Sequence, residues 1–389
     1  MDYRGKTPKR SKSGIPTLSA KSVKKGYIDY SNCYYISQSE YNSFMNRGLP
    51  QKGDILLTTE APLGVAAKLD RNGVAVAQRL LVLRGKKNII DNNYLLYFLQ
   101  SPKGQALLQM RESGTTVTGI KQSEFRKIEI TIPDLDTQRK TVSILSNLDD
   151  KICTNKQIND NLTQQVKLIS DKWLKKYISL YNNHSVDVEM IPLSQIANFY
   201  SGYSYKSKEL QKSDIAMLTI KNFDRKGGFK MEGYKEIIPL KKLKNTQFAK
   251  PFDIFVAHTD LTQNAEVIGN AELLMGPMKH KSIIFSMDLV KVTPKDNRIS
   301  KFLLAAILQN HRFKEHCFGY INGTTVLHLS KKALSDYQII LPKNLSDVVP
   351  LNSVIESMYR QISTNLAENI YLENIRNHLL LKIMSKGFV

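Results

Sequence analysis

The chain is written twice, and that constrains it more than any other feature. Ile15-Pro-Thr-Leu-Ser-Ala-Lys21 aligns with Ile215-Ala-Met-Leu-Thr-Ile-Lys221, 200 positions later. Gly53-Asp-Ile-Leu56 aligns with Phe252-Asp-Ile-Phe255, and Tyr94-Leu-Leu96 with Phe302-Leu-Leu304. Ser113-Gly-Thr-Thr-Val117 returns as Asn322-Gly-Thr-Thr-Val326, and Ile128-Glu-Ile-Thr-Ile-Pro133 as Tyr337-Gln-Ile-Ile-Leu-Pro342, both 209 positions on. One such match is plausible by chance, but five in unbroken order are not. A unit of about 200 residues is too long for a solenoid repeat, so a whole domain has been duplicated in tandem. Over 389 residues, each copy can bury its own core.

After each Pro exit the period changes. Leu145, Leu148, Ile152, Asn155, Asn159, Leu162, Val166, Ile169 and Trp173 follow at alternating steps of three and four, a heptad seam apolar except at two adjacent Asn. The same steps recur 210 residues later through Ile355, Met358, Ile362, Asn365, Asn369, Leu372, Arg376, Leu379 and Ile383. Arg376 alone breaks the stripe, and Ile375 stands beside it to take over. Thr141 to Tyr177 contains no helix breaker and would extend about 55 Å as a helix. A stripe of this kind usually packs on its own domain. Here the length, the low net charge and the repetition favour two helices packed on each other. Paired buried Asn would fix their register at a cost in stability. Leucine at both Asn155 and Asn365 is therefore expected to stabilise the coil and relax its register.

The order domain, helix, domain, helix lets the two helices lie antiparallel. The expected fold is α+β: two tandem domains separated by long helices that form an antiparallel coiled coil, a pseudo-twofold dumbbell. Boundaries fall at 1–133, 134–182, 183–342 and 343–389. Within the first copy, β-rich runs at Ile55–Thr58, Val74–Leu83 and Ile128–Ile132 surround an apolar helix near Asn93–Gln100. The second repeats them at Ile254–Ala257, Ile283–Val292, Ile339–Leu341 and Lys301–Gln309. The copies differ at their start: Ile191-Pro-Leu-Ser-Gln-Ile-Ala-Asn-Phe199 precedes Gly202, whereas four residues precede the matching Gly5. The first domain is thus expected to lack an opening strand, which bears on its folding and full activity.

The charge indicates what the domains meet. Lys and Arg number 56 against 35 Asp and Glu, a net +21. The excess is +11 in residues 1–133 and +7 in 183–342, and only +2 and +1 in the helical segments after them. Two basic modules on nearly neutral spacers suit a polyanion, because each cation set against a phosphate releases a counterion. No apolar run approaches the roughly 18 residues of a membrane span, and the basic start is not a secretory signal. Three scattered cysteines, Cys33, Cys153 and Cys317, fit a reducing cytoplasm rather than a disulfide framework.

Catalysis is poorly supported. A Gly-rich cofactor loop and an Asn/Asp-Pro-Pro-aromatic motif are both missing, and no Glu-x-Lys follows Asp54 and Glu60 as a metal-dependent nuclease requires. His311 and His316, five apart with Cys317 adjacent, do not share a helix face for zinc. The candidates are instead DNA contacts. Lys9, Arg10, Lys12, Lys24 and Lys25 are basic clusters in turns, for which a solvated charge run is the bland alternative. Gln78 and Arg79 sit within a β-rich run; Arg reads guanine well, but an internal ion pair is equally consistent. Thr115 and Thr116, with Thr324 and Thr325, follow Gly in loops that either meet phosphates or cap their own turns. Asn222, Arg225 and Lys226 match the turn of Lys24-Lys25, Lys279 and Lys281 flank His280, and Tyr203 and Tyr205 could stack on bases.

These blocks resemble the DNA-specificity subunit of type I restriction–modification systems. The resemblance rests on Tyr3-Arg-Gly-Lys-Thr-Pro8, Gly53-Asp-Ile-Leu, the Ser113-Gly-Thr-Thr turn, and the Ile-Pro exit into Asp134-Leu-Asp-Thr-Gln138 and the Leu145/Leu148/Ile152 helix. It covers essentially the whole chain. It implies two target-recognition domains, each reading half of a split site in double-stranded DNA, with the coiled coil setting the spacing. It also implies two modification subunits, which carry S-adenosylmethionine, two restriction subunits, and no active site, metal or cofactor in this chain. Thr137 replaces the usual acidic residue before Gln138, and Pro342-Lys-Asn-Leu-Ser-Asp347 has lost the Gln, which weakens any role for Gln138. The competing expectations are a self-sufficient DNA methyltransferase or nuclease with a diverged site, and a non-specific basic scaffold.

Overall fold

A computed structural model describes residues 7–114, 118–225, 227–276, 280–295, 299–344, 346 and 348–386. The chain divides into two compact units, Met1–Ile152 with Tyr371–Val389, and Cys153–Ile370.

The first unit opens with strands β1 (Ile15–Leu18), β2 (Val23–Lys24), β3 (Tyr27–Ile28) and β4 (Tyr34–Ile36), then helix α1 (Gln38–Phe44). Strands β5 (Ile55–Thr58), β6 (Ala66–Lys68), β7 (Ala75–Val76) and β8 (Leu80–Leu83) follow. Helices α2 (Asn92–Gln100), α3 (Pro102–Gln109) and α4 (Gln122–Phe125) close the module before the long helix α5 (Leu135–Asn182). β1 lies between β4, antiparallel, and β7, parallel, with Thr17 opposite both Tyr34 and Ala75. β5 is flanked by antiparallel β6 and β8, Leu56 facing Ala67 and Val82.

Both faces of β5 are covered. Leu56 packs with Leu18, Val76 and Leu80 on one side, while Ile55 and Leu57 meet Leu96 and Leu99 of α2 on the other. This double burial explains the unbroken apolar run where a half-exposed strand would alternate. The other face of α2 (Tyr94, Tyr97, Phe98) packs on Leu145 of α5. The repeated Asp is a turn acceptor: Asp54 Oδ2 takes the Gln51 N–H at 2.8 Å, and Asp253 Oδ2 takes that of Lys250 at 2.9 Å. Asp54, itself buried, also receives Arg84 through two bonds of 2.6 and 2.8 Å.

The second unit has the same plan with additions. β9 (Val188–Pro192), α6 (Leu193–Ile196) and β10 (Ala197–Ser201) lead into β11 (Ile215–Leu218), β12 (Lys235–Glu236) and β13 (Phe248–Ala249). Then come β14 (Ile254–Ala257), β15 (Thr259–Asp260), β16 (Ala271–Leu273), β17 (Ser282–Phe285) and β18 (Leu289–Pro294). Helices α7 (Lys301–Leu308) and α8 (His311–Phe318), strands β19 (Ile321–Asn322) and β20 (Leu327–Leu329), α9 (Lys332–Asp336) and β21 (Gln338–Pro342) precede α10 (Val349–Lys386). The sheets run β12-β11-β17-β13 and β10-β18-β14-β16, with β21 paired to β9.

Three expectations need correction. Val74–Leu83 and Ile283–Val292 are not continuous strands. β7 and β8 join different sheets, as do β17 and β18, so the chain must turn between them. Arg79 makes the first turn at φ +69°, a left-handed conformation that a strand cannot hold. The two apolar helices stand where expected, as α2 and α7, and each is followed by a further helix that Ser101 or Asn310 caps with its side chain. Ile128–Ile132 is not a strand among the described residues. Its counterpart β21 becomes one by bonding to β9, and a ladder needs a partner.

The long helices pair antiparallel within each unit. In the second, Asn155 Nδ2 donates to Asn369 Oδ1 at 2.9 Å and Asn365 Nδ2 to Asn159 Oδ1 at 2.8 Å. In the first, Leu145 shares a cluster with Leu380 and Met384, and Arg376 binds Asp149 at 2.7 Å. Every seam position from Leu145 to Trp173, including Leu148, Ile152 and Leu162, is buried or half-buried, as are Met358, Ile362 and Leu372. Arg376 keeps its place in the seam because Asp149 neutralises it. Asn155 and Asn365 belong to different pairs, so the double leucine substitution expected to stabilise the coil would cut both.

Candidate nucleic-acid interface

In the first unit four loops converge at one end of the sheets. Gln78 donates to Thr7 Oγ1, bringing the amino-terminal basic segment beside the β7–β8 turn. The next residue, Arg79, pairs with Glu60 at 2.5 Å in the loop after β5. Ile120 N–H donates to Thr59 O at 2.9 Å, and Gly119 exchanges backbone bonds with Ser113. Gly114 holds φ +119° at the entrance of that loop, a conformation open to glycine. Thr115 and Thr116 lie outside the described residues. Arg79 is therefore both things the sequence allowed: an ion-pair partner of Glu60, and a half-exposed guanidinium at the loop cluster. Lys9, Arg10, Lys12 and Lys25 are exposed and Lys24 is half-buried. Arg10 lies 4.6 Å from the Tyr34 ring centre, and Lys25 tops the β2–β3 hairpin with Gly26 at φ +88°.

The second unit builds the same end with different chemistry. Asp288 occupies the β17–β18 turn where the first unit has Arg79, and it accepts from Thr259 Oγ1 at 3.1 Å where Glu60 stood. Gln263 Nε2 donates to Thr324 O at 2.6 Å, tying the loop after β15 to the Gly323 turn. Thr324 and Thr325 are exposed there. A Cβ on Gly323 would stand 2.2 Å from Val326 O, so the repeated glycine is required by close approach. Arg225 is exposed beside this loop and pairs with Glu266 at 3.2 Å. Lys281 is exposed next to His280, which faces Glu236 at 3.4 Å. Lys226 and Lys279 lie outside the described residues.

Two candidates are corrected by burial. Asn222 is 0% exposed; its amide accepts from Thr219 N–H and donates to Lys230 O, closing the turn that presents Arg225. Tyr203 is 3% exposed and cannot stack on a base. Its hydroxyl donates to Glu209 at 2.5 Å and accepts from Lys241 N–H. The Leu240 N–H, then Tyr203 and the Lys206 N–H, hold the Glu209 carboxyl down to about 2. Both residues were singled out by type, and only packing could show that they face inward. Tyr205 is half-buried, with Lys235 Nζ 5.4 Å from its ring centre.

Sequence reasoning undervalued Gln138. It is 0% exposed, accepts from Asp91 N–H at 2.9 Å, and donates to Ile89 O at 3.0 Å and Pro133 O at 2.8 Å. It thereby ties the start of α5 to the start of α2. Thr137, the departure beside it, donates its N–H to Asp134 Oδ1 at 2.9 Å, so Asp134 caps the helix. Gln263 and Glu60 were not foreseen as loop tethers, because neither sits in a repeated block. No cluster of His, Cys, Asp and Glu able to hold a metal occurs among the described residues. No helix among them is long and apolar enough to cross a membrane.

Residues 4–164 match the family model described as the type I restriction modification DNA specificity domain. The chain is 22% identical over 385 residues to the type I restriction enzyme MjaVIII specificity subunit of Methanocaldococcus jannaschii, covering 94% of this chain and 87% of that one. It is 23% identical over 352 residues to the MjaIX specificity subunit of the same organism, covering 86% and 77%. Among solved structures, the S subunit of a type I restriction–modification system from M. genitalium has the same fold, with a TM-score of 0.52 at 17% identity over 96% of this chain and 90% of that one. With the repeat, the antiparallel helices and the basic loop ends, residues 4–164 form a type I restriction modification DNA specificity domain, and the chain as a whole is similar to type I restriction enzyme specificity subunits.

Proposed function

We propose that the chain is the non-catalytic, sequence-reading subunit of a type I restriction–modification complex, each unit reading one half of a split duplex site. One observation carries this. The two units present the same loop end on the same scaffold, yet Arg79 with Glu60 in one becomes Asp288 with Thr259 in the other. A guanidinium donates to guanine edges, whereas a carboxylate accepts from cytosine, so equivalent positions would select different bases. Lysines in the surrounding turns would fix register on phosphate without choosing sequence. Two modification subunits would bring S-adenosylmethionine and transfer the methyl group, and two restriction subunits would cut.

The helices supply the second element. α5 contributes Leu135–Ile152 to the first unit and its remainder to the second, and α10 is shared likewise. In this reading helix length determines how many base pairs separate the half-sites. Selection from a randomised duplex library, using the chain with its modification subunit, should return a gapped two-part consensus. Adding one heptad after Ile152 and one after Ile370 lengthens the path by about 10 Å, or about 3 base pairs, and the gap should grow by that amount with both half-sites unchanged. An ungapped consensus, or a gap indifferent to the insertion, would sink the reading.

A further inference from the structure

Two large apolar side chains stand bare among the polar loops of the second unit. Leu261, directly after β15, is 68% exposed, and Met287, in the β17–β18 turn, is 54% exposed. Both ride on firmly held backbone. Met287 N–H donates to Tyr203 O at 3.0 Å. Ser286 before it is fully buried, and Asp288 after it accepts from Thr259 Oγ1 at 3.1 Å and Ser286 Oγ at 3.2 Å. Leu261 follows Asp260, a buried carboxylate that accepts from Thr262 N–H at 2.8 Å and Val267 N–H at 2.7 Å and so pins both ends of the loop.

The two mounts are neighbours. Ala257 opposes Leu289 in the β14–β18 ladder, and His258 N–H donates to Asp288 O at 2.8 Å. The same register brings Thr259, two residues before Leu261, opposite Met287. Around them the loop end is polar and basic. Thr324 and Thr325 are exposed, His328 is exposed opposite Thr259, and Lys331 is exposed just beyond β20. In the first unit Gln78 stands where Met287 stands, an amide in place of a thioether. Backbone held this firmly needs no ordering on contact, and cations beside the apolar pair favour a duplex over the surface of a protein. On base edges in the major groove the apolar group is the C5-methyl of thymine. An apolar pair among reading loops therefore has one base to select.

We propose that Met287 and Leu261 clasp the 5-methyl group of a thymine, beside the base that Asp288 addresses, in the half-site read by the second unit. The inference rests on the DNA reading proposed above and adds to it a base and the atoms that select it. Gln78 offers no such contact in the first unit, so the clasp belongs to one half-site.

The test uses the chain with its modification subunit, on the duplex returned by library selection, at one fixed salt concentration. Each thymine is replaced in turn by uracil, which pairs identically and lacks only the methyl group. At one thymine of one half-site, affinity should fall about fourfold, the worth of one buried methyl group. Met287→Gln, which copies the first unit, together with Leu261→Ser should abolish the difference between thymine and uracil there. Both side chains are exposed, so the melting temperature of this variant should stay within about 1 °C of the parent. Uracil tolerated at every position, or discrimination that survives in the variant, overturns the proposal and leaves the DNA reading standing. An equal loss on both duplexes also overturns it and moves the pair off the methyl group, as a wedge between base steps would. Release of the modification subunit by the variant overturns it in favour of a protein contact. Failure to select any site overturns both the clasp and the DNA reading.

Discussion

The Asn ladder gives the sharpest test of the coil. Asn159 and Asn365 are 8% and 4% exposed and share a 2.8 Å bond. Asn365→Leu removes the donor and leaves the Asn159 amide oxygen desolvated, at a cost of about 1–3 kcal/mol. The new methyl groups return at most about 1 kcal/mol, because they face a polar amide. Asn159→Leu with Asn365→Leu removes both partners, and stability should return to the parent value or above it. Asn155→Leu with Asn365→Leu instead cuts both pairs and should cost about 2–4 kcal/mol. Trp173, the only tryptophan and buried in the second unit, reports that unit's unfolding by fluorescence in a urea titration. The expected order is Asn159/Asn365 double, parent, Asn365 single, Asn155/Asn365 double. Equal stability of the two doubles would refute specific pairing and leave these amides as independent polar groups.

Glu272 is 6% exposed, and burial is the main cause that lifts its carboxyl to about 7. The folded chain therefore keeps a proton that the unfolded chain releases near 4.5, so stability is complete below that pH and declines as pH rises toward 7. Glu272→Gln should flatten this decline, gaining about 3 kcal/mol at pH 8 and nothing at pH 4, read in urea titrations at both pH values. Arg376→Met should cost the first unit about 1 kcal/mol, a modest loss because Asp149 is partly solvated; thermal unfolding followed by tyrosine near-ultraviolet dichroism checks it. Gln263→Ala frees the loop bearing Thr324 and should relax the consensus at one half-site while leaving the melting temperature within about 1 °C, measured by library selection and calorimetry.

Much of the architecture was legible because it rests on local periodicity. The heptad steps placed Asn155, Asn159, Asn365 and Asn369 on one seam, and the doubled blocks marked two modules. The site was less legible. Asn222 and Tyr203 have the residue types of DNA contacts, yet they close turns inside the second unit. Arg79 was read within a strand and instead makes the turn between two sheets. A side chain's type does not record which way a turn points it.

By itself the sequence determined that the chain contains two related basic modules and two helices whose seams carry matched asparagines. Those are consequences of composition and of fixed residue spacing, which the α-helix converts directly into one face. Only the tertiary structure decided which asparagine meets which, since an antiparallel register is a relation between segments about 200 residues apart. It likewise decided that Ile339 lies in a strand while Ile130, in the same repeated block, does not. A strand exists through hydrogen bonds to a neighbour, and β9 supplies that neighbour in one unit alone among the described residues.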